Sequence, residues 1–276
     1  MNLGASAVCF EDLIANMDSS VICAERGFGK SRLAMQIVDS LLDEGRTVIT
    51  IDSSQVWLWN YPRLPYTLVR EGKARRMQNF PVESRLYDVS LARGNKREFT
   101  ANLVQALFDF SAEETYRNQG IAPRRITVVI EESSVLLGRG LTEALLELCA
   151  VSRNFGVNYL LTSQRLVWMT DAIERATAYW IGRLKGTNNL AKISRLVGKS
   201  YSEMVPTLKK GTWLYYDGQA RLVRVPMYLS THRRQLNRGF WARLLGRGQN
   251  KPRITQVPID LPSGQMEQTR PCIKPL

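Results

Sequence analysis

One turn constrains this chain more than any other feature: Ala24-Glu25-Arg26-Gly27-Phe28-Gly29-Lys30-Ser31. A short apolar run, Val21-Ile22-Cys23, precedes it, and a helical pattern with Leu33, Ile37, Leu41 and Leu42 on one face follows, stopped by Gly45. A turn of this kind between strand and helix points successive backbone N–H groups at an anion, and the helix N-terminus adds its dipole. The spacing matches the phosphate-binding pattern GxxxxGK[ST], except that Ala24 stands at the first glycine. That change removes no phosphate donor. Gly27 and Gly29 let the backbone approach a phosphate without a Cβ clash. Lys30 is placed to bridge β- and γ-phosphates, and Ser31 to offer its hydroxyl to Mg²⁺. Glu25, Arg26, Phe28 and Arg32 complete the expected nucleotide-binding segment.

A second motif lies about a hundred residues on. Val128-Val129-Ile130-Glu131-Glu132 is an apolar strand ending in two acids. In this arrangement one carboxylate, Glu131, orients Mg²⁺, and the next, Glu132, polarises the water that attacks the γ-phosphate. A third segment, Leu160-Leu161-Thr162-Ser163-Gln164-Arg165, puts a polar Gln164 at the end of another core strand, where it could sense the γ-phosphate. In an open parallel sheet such strand ends share one edge, and ligands bind there. ATP with Mg²⁺ is the expected ligand; no NKxD guanine-reading motif appears.

The rest of the chain supports an α/β reading. Strands are expected at Val48–Ile51, Leu86–Val89, Ile126–Ile130 and Val157–Leu161, and helices at Phe99–Tyr116 and Thr142–Asn154. Their alternation implies a mostly parallel sheet covered on both faces. A hairpin, Thr212–Tyr216 and Leu222–Pro226 about Asp217-Gly218, ends the core. The expected boundaries are 1–230 for this domain and 231–276 for a basic amphipathic segment with a Pro-rich tail.

At this point the ordered motifs resemble the FtsK/HerA superfamily of DNA-pumping ATPases. The resemblance rests on the P-loop, the strand ending in Glu131-Glu132, Arg153-Asn154-Phe155-Gly156-Val157, Leu161-Thr162-Ser163-Gln164-Arg165, Ala178–Arg183 and Leu208–Trp213, and spans residues 19–230. It implies a RecA-like domain working as a homo-hexameric ring, with an arginine reaching into a neighbour's site. Arg165 and Arg183 are the favoured positions for that finger, with Arg153 and Arg175 also in place. The chain departs from the superfamily's usual Asp-Glu pair, since both acids here are Glu. In size it is closer to the compact members of viruses, plasmids and conjugative elements, which package or transfer DNA.

Charge agrees with such a partner. Lys and Arg number 38 against 25 acids, a net charge of +13, which favours a polyanion: nucleic acid or an anionic membrane. A basic insertion over about 57–85 carries Arg63, Arg70, Lys73, Arg75 and Arg76 among Tyr61, Tyr66 and Phe80, with Trp57 and Trp59 before it. It reads equally as a DNA-facing loop, Arg70, Lys73, Arg75 and Arg76 gripping phosphates, or as a surface meander with its own small core. From Arg233 to Arg247, Leu236, Phe240 and Leu244 fall on one helical face. That segment fits packing on the core, contact with DNA, or docking to a capsid, membrane or secretion-channel partner. The four cysteines form no CxxC pair and the one histidine has no ligand-spaced companion, against a zinc site. No apolar run reaches the roughly 18 residues of a membrane span, and Glu11-Asp12 interrupt any secretory leader; a cytoplasmic protein is expected.

The functional expectation is therefore an ATP-driven translocase moving duplex DNA without sequence preference. Two alternatives stand beside it: a small-molecule P-loop NTPase or kinase, and a nucleotide-gated assembly or membrane-docking protein with a vestigial ATPase.

Overall fold

The computed structural model describes residues 10–15, 17–69, 83–92, 96–136, 154–166 and 175–225. Nine strands form one sheet: β1 (Ser20–Cys23), β2 (Thr47–Asp52), β3 (Tyr66–Leu68), β4 (Arg85–Asp88), β5 (Ile126–Ile130), β6 (Val157–Ser163), β7 (Ala178–Ile181), β8 (Thr212–Tyr216) and β9 (Ala220–Arg224). Their order is β3-β4-β2-β5-β6-β1-β7-β8-β9. From β3 to β7 every pairing is parallel; β8 and β9 are antiparallel.

The burial of the central strands explains this topology. Every residue of β1, β5, β6 and β7 is buried. Successive side chains of a strand point to opposite faces, so uninterrupted burial means that both faces are covered. Among the described helices, α1 (Phe10–Ala15) packs on α2 (Lys30–Asp43), and α2 lies over β1, β2 and β6. Helix α3 (Val56–Asn60) bridges β2 and β4, and α4 (Lys96–Arg117) meets α5 (Ser133–Leu136). Beyond β7 come α6 (Thr187–Val197) and α7 (Lys199–Met204), which pack on each other. This is the RecA-like α/β architecture expected from the sequence.

Helix α2 is the segment read from periodicity. Leu33, Ile37 and Leu41 are buried, and Gly45 takes φ 75° past the helix end, the left-handed conformation that glycine adopts without a Cβ penalty. The expected strands appear within two residues of their predicted limits. Strand β9 starts two residues earlier than its pattern suggested, because β8 sets its register: Tyr216 pairs Ala220 and Thr212 pairs Arg224.

The helix read over 142–154 falls almost wholly outside the described residues, as do Arg70, Lys73, Arg75, Arg76, Arg153 and the segment 231–276. Around them the described part of 57–85 is partly internal. Trp57, Leu58, Tyr61 and Leu64 are buried in the core. Arg63 is held by Asp39 and Asp43 of α2, each at 2.8 Å, and Tyr61 donates its hydroxyl to Asp39 at 2.7 Å. Burial and the Asp39 carboxylate both hold the Tyr61 phenol in its protonated form. Trp57, Tyr61 and Arg63 are therefore fold contacts and not a phosphate-gripping surface. No described helix is long and apolar enough to cross a membrane, and no described cluster of His, Cys, Asp and Glu is arranged to hold a metal. Cys23 is a free thiol buried in β1, pushed up in pKa by desolvation.

Candidate nucleotide site

The phosphate-binding turn leaves β1 between its two neighbours. Ala24 N–H donates to Ser163 O of β6 at 3.2 Å, and Glu25 N–H to Arg183 O beyond β7 at 2.8 Å. These bonds fix the turn's entry from both sides. Gly27 takes φ 79° and Gly29 φ 116°, values strongly disfavoured for residues with a Cβ. Leu33 N–H then bonds Gly29 O at 3.0 Å and α2 begins.

Ala24 at the first glycine position has a structural explanation. It is not among the residues with positive φ, so no glycine is required for its backbone. The room is made opposite, at Gly182: a Cβ there would lie 2.7 Å from Ala24 Cβ and 2.4 Å from the Phe28 ring. Phe28 in turn stands edge-on to Trp213, with centroids 5.1 Å apart. The hydrophobic residue inside the turn thus anchors it to β7 and β8.

The chemical groups converge as the sequence implied. Ser31 Oγ donates to Glu131 Oε1 at 2.6 Å. Lys30 Nζ lies 3.7 Å from Glu132 Oε1, and Gln164 Nε2 donates to the same oxygen at 2.9 Å. Three segments distant in sequence meet within hydrogen-bonding reach. Glu132 adopts φ 50°, uncommon for a residue with a Cβ. Its N–H donates to Thr162 Oγ1 at 3.0 Å, which holds that backbone and turns the carboxylate toward Lys30 and Gln164.

Glu131 differs from Glu132 in its surroundings. It is only 2% exposed, and burial pushes its pKa up while bonds from Ser31 and Trp57 pull it down. Its second oxygen accepts the Trp57 indole N–H at 3.1 Å. A buried carboxylate without such partners would cost several kcal/mol. The donor set fits Mg²⁺: a hydroxyl and a carboxylate oxygen side by side at a phosphate-binding helix start, the hard oxygen ligands this ion takes together with substrate phosphates. The longer Glu in place of Asp is accommodated, since Glu131 reaches Ser31 directly.

The other expected residues are placed as follows. Arg26 is exposed on the turn and Arg32 is exposed at the start of α2. Glu25 points its carboxylate away from a phosphate role: it pairs with Arg183 Nε at 2.5 Å. The Arg183 guanidinium also lies over Phe28, 5.8 Å from the ring centroid, so within this chain it belongs to its own turn. Arg165 is exposed beside Gln164, its N–H bonded to Ser163 Oγ at 3.1 Å. Arg175 is exposed ahead of β7, at the opposite edge of the sheet. Two contributors escaped the sequence reading. Thr162 was seen only as part of the third motif, and Trp57 only as an aromatic residue near a basic loop. The clue to Trp57 was its place five residues after Asp52, the acid ending β2.

A parallel sheet of this order, with a phosphate turn after β1, is the P-loop NTPase fold. Solved structures share this fold, and among them are packaging and conjugation ATPases. The genome packaging NTPase B204 from Sulfolobus turreted icosahedral virus 2, in complex with ATP-gammaS, superposes with a TM-score of 0.59 at 19% identity, covering 76% of this chain and 98% of that one. VirB4 of Thermoanaerobacter pseudethanolicus gives 0.57 at 12% identity, covering 76% of this chain and 90% of VirB4. The pCW3 conjugation coupling protein TcpA with ATPgS gives 0.54 at 16% identity, covering 78% of this chain and 62% of TcpA. At these identities the likeness establishes the fold. No family model matches the chain, and no curated protein matches it in sequence.

Proposed function

We propose that this chain is an ATP hydrolase that drives duplex DNA through a homo-hexameric ring, as a packaging or transfer motor. The observation that carries this reading is the meeting of Lys30, Glu132 and Gln164 beside the Ser31–Glu131 bond. The turn's N–H groups and Lys30 receive the β- and γ-phosphates. Ser31 and Glu131 would hold Mg²⁺, which when bound would supply charge neutralisation on the phosphate oxygens. Lys30, now paired with the γ-phosphate, no longer neutralises Glu132. Glu132 is then the base nearest the γ-phosphate: it accepts a proton from the attacking water as the bond from phosphorus to the ADP oxygen breaks. Gln164, bonded to Glu132, couples the state of the γ-phosphate to the tip of β6. Arg165, exposed at that tip, and Arg183, beside Glu25, are the proposed trans fingers.

DNA as the substrate is supported by the net charge of +13 and by fold neighbours described as a genome packaging NTPase and a conjugation coupling protein. Arg70, Lys73, Arg75 and Arg76 are the proposed phosphate contacts, and 231–276 the proposed address for a capsid, membrane or secretion-channel partner. The test is ATP hydrolysis by the full chain with and without duplex DNA, with Lys30→Ala as the control for contaminants, and imaging with an ATP analogue for a ring. Duplex should stimulate turnover. Hydrolysis indifferent to duplex of any length would point to a small-molecule NTPase; nucleotide binding without hydrolysis would point to a vestigial site.

A further inference from the structure

Glu131 is held by two side-chain donors, and only one belongs to the phosphate-binding helix. The other, Trp57, is fully buried and comes from α3, 74 positions away. Its indole is fixed at both ends of the residue. Trp57 N–H donates to Asp52 Oδ2 at 2.8 Å, while Asp52 Oδ1 accepts from Ser54 N–H and Ser54 Oγ, each at 2.8 Å. The ring stands edge-on to Tyr61, with centroids 5.2 Å apart, and Tyr61 is tied to α2 through Asp39. The backbone of the acid itself is pinned to the same strand: Glu131 N–H donates to Ile51 O at 3.0 Å.

We propose that Trp57 is a positioning residue for magnesium: its indole N–H fixes the Glu131 carboxylate so that Oε1 faces Ser31 and the metal. A Glu side chain has one more rotatable bond than Asp, so a carboxylate at this position has more orientations to lose. An indole N–H can only donate. It therefore occupies Oε2 and leaves Oε1 turned toward Ser31 and the metal position. Ser31 Oγ, already 2.6 Å from that oxygen, completes the pair. The residue acts through Glu131 and touches neither nucleotide nor water. Such outer partners of a metal ligand orient it and tune its affinity. The inference rests on the ATPase reading above, which it deepens.

The experiment is the magnesium dependence of nucleotide binding and hydrolysis in the full chain carrying Trp57→Phe. Phenylalanine keeps a ring against Tyr61 and removes the donor. The Mg²⁺ needed for half-maximal hydrolysis should rise about 10-fold or more, the usual effect of losing an outer partner of a metal ligand. Binding of the ATP analogue in EDTA should stay within about twofold, and saturating Mg²⁺ should restore most of kcat, because the phosphate turn is untouched. A merely structural role would instead weaken binding equally with and without metal. An unchanged Mg²⁺ requirement in a folded variant overturns the assignment of Trp57 alone. Wild-type protein that binds no nucleotide under either condition overturns the ATPase reading itself. Should Trp57→Phe fail to fold, the indole N–H signals of the wild-type chain decide. One of its six tryptophans should shift when Mg²⁺ is added to the analogue-bound protein; no moving indole signal overturns the proposal.

Discussion

The edge of the sheet that carries the site has two unlike sides. On the side of β5, β2 and β4 the strand tips are acidic: Glu131 and Glu132 follow β5, Asp52 ends β2 and Asp88 ends β4. On the side of β6, β1 and β7 they are cationic or amide: Gln164 and Arg165 follow β6, the turn to Lys30 follows β1, and Arg183 follows β7. On the proposed reading, a phosphate chain seated on the turn would lie where the two sides meet, with a metal on the first and donors on the second. The acids are not equivalent. Asp52 bonds local backbone N–H groups through both oxygens and Asp88 through one, whereas Glu131 and Glu132 bond to side chains from other segments. Turn-building acids and site-building acids stand side by side: burial raises the pKa of both Glu131 and Asp88, and repulsion from Asp52 adds to each shift.

The sharpest way to break the comparison is to remove one charge from each side. Lys30→Ala takes the only buried cation from the turn and leaves Glu132 without its partner. Nucleotide binding should fall below detection in a fluorescent-analogue titration. Glu132→Gln keeps the amide contact to Gln164 possible and removes the base. It should retain ATP while kcat falls by about 100-fold or more. Equal loss of binding in both variants would mean that the two sides do not divide binding from chemistry as described. Near wild-type turnover in Glu132→Gln would move the base to Glu131.

The site was legible in sequence to the degree that its geometry is local. Lys30 and Ser31 sit on a turn whose spacing fixes them. Glu131, Glu132 and Gln164 sit just beyond strands whose apolar runs are unmistakable, and parallel pairing brings those ends to one edge. Trp57 was not legible in this way. Its partner lies at the tip of the neighbouring strand but 74 positions away in sequence, and the connection is made by a five-residue helix too short to show a period. Strand β3, three residues long, was hidden for the same reason. Helix α6 was missed although Leu190, Ile193 and Val197 carry a helical spacing, with Ile193 buried and the others packed on the core; its start, Thr187-Asn188-Asn189, is polar and shows no apolar period. The Glu25–Arg183 pair joins residues 158 positions apart, and nothing local to either announces it.

On the donor side, the turn's anchorage can be tested without touching a charged group. Gly182→Ala would place a methyl group 2.4 Å from the Phe28 ring and 2.7 Å from Ala24 Cβ. Phe28 is confined by Trp213 and Arg183, so the strain must be relieved by moving the turn. Overpacking of this kind costs about 1–3 kcal/mol. Thermal unfolding should shift down, and ATP affinity should fall with it. A variant that loses stability but binds ATP normally would show that strain in β7 is not passed to the turn.

The smallest effect is expected on the acidic side, at Asp88. Its carboxyl is buried, with Oδ1 accepting Ser90 N–H at 2.8 Å, while Oδ2 has no hydrogen-bond partner among the described residues. Desolvation pushes its pKa above the ordinary 3.8, and Asp52 adds to the shift against the pull of Ser90 and Lys96. A group that holds its proton more tightly folded than unfolded favours the fold below its unfolded pKa. That contribution is lost as pH rises through the folded pKa. Asp88→Asn keeps the carbonyl oxygen for Ser90 and carries no charge at any pH. At pH 7.5 it should therefore stabilise the protein by about 1.4 kcal/mol for each pKa unit of the shift, and each kcal/mol should raise Tm by about 2–4 °C in a domain of this size. The gain should close at a second pH below the raised folded pKa, where Asp88 in the wild type is itself neutral. Paired thermal melts of the two proteins at the two pH values decide the matter. A shift of equal size at both would assign the effect to packing, and no shift at pH 7.5 would mean that the acidic tips tolerate one another and that the asymmetry of the edge carries no electrostatic cost.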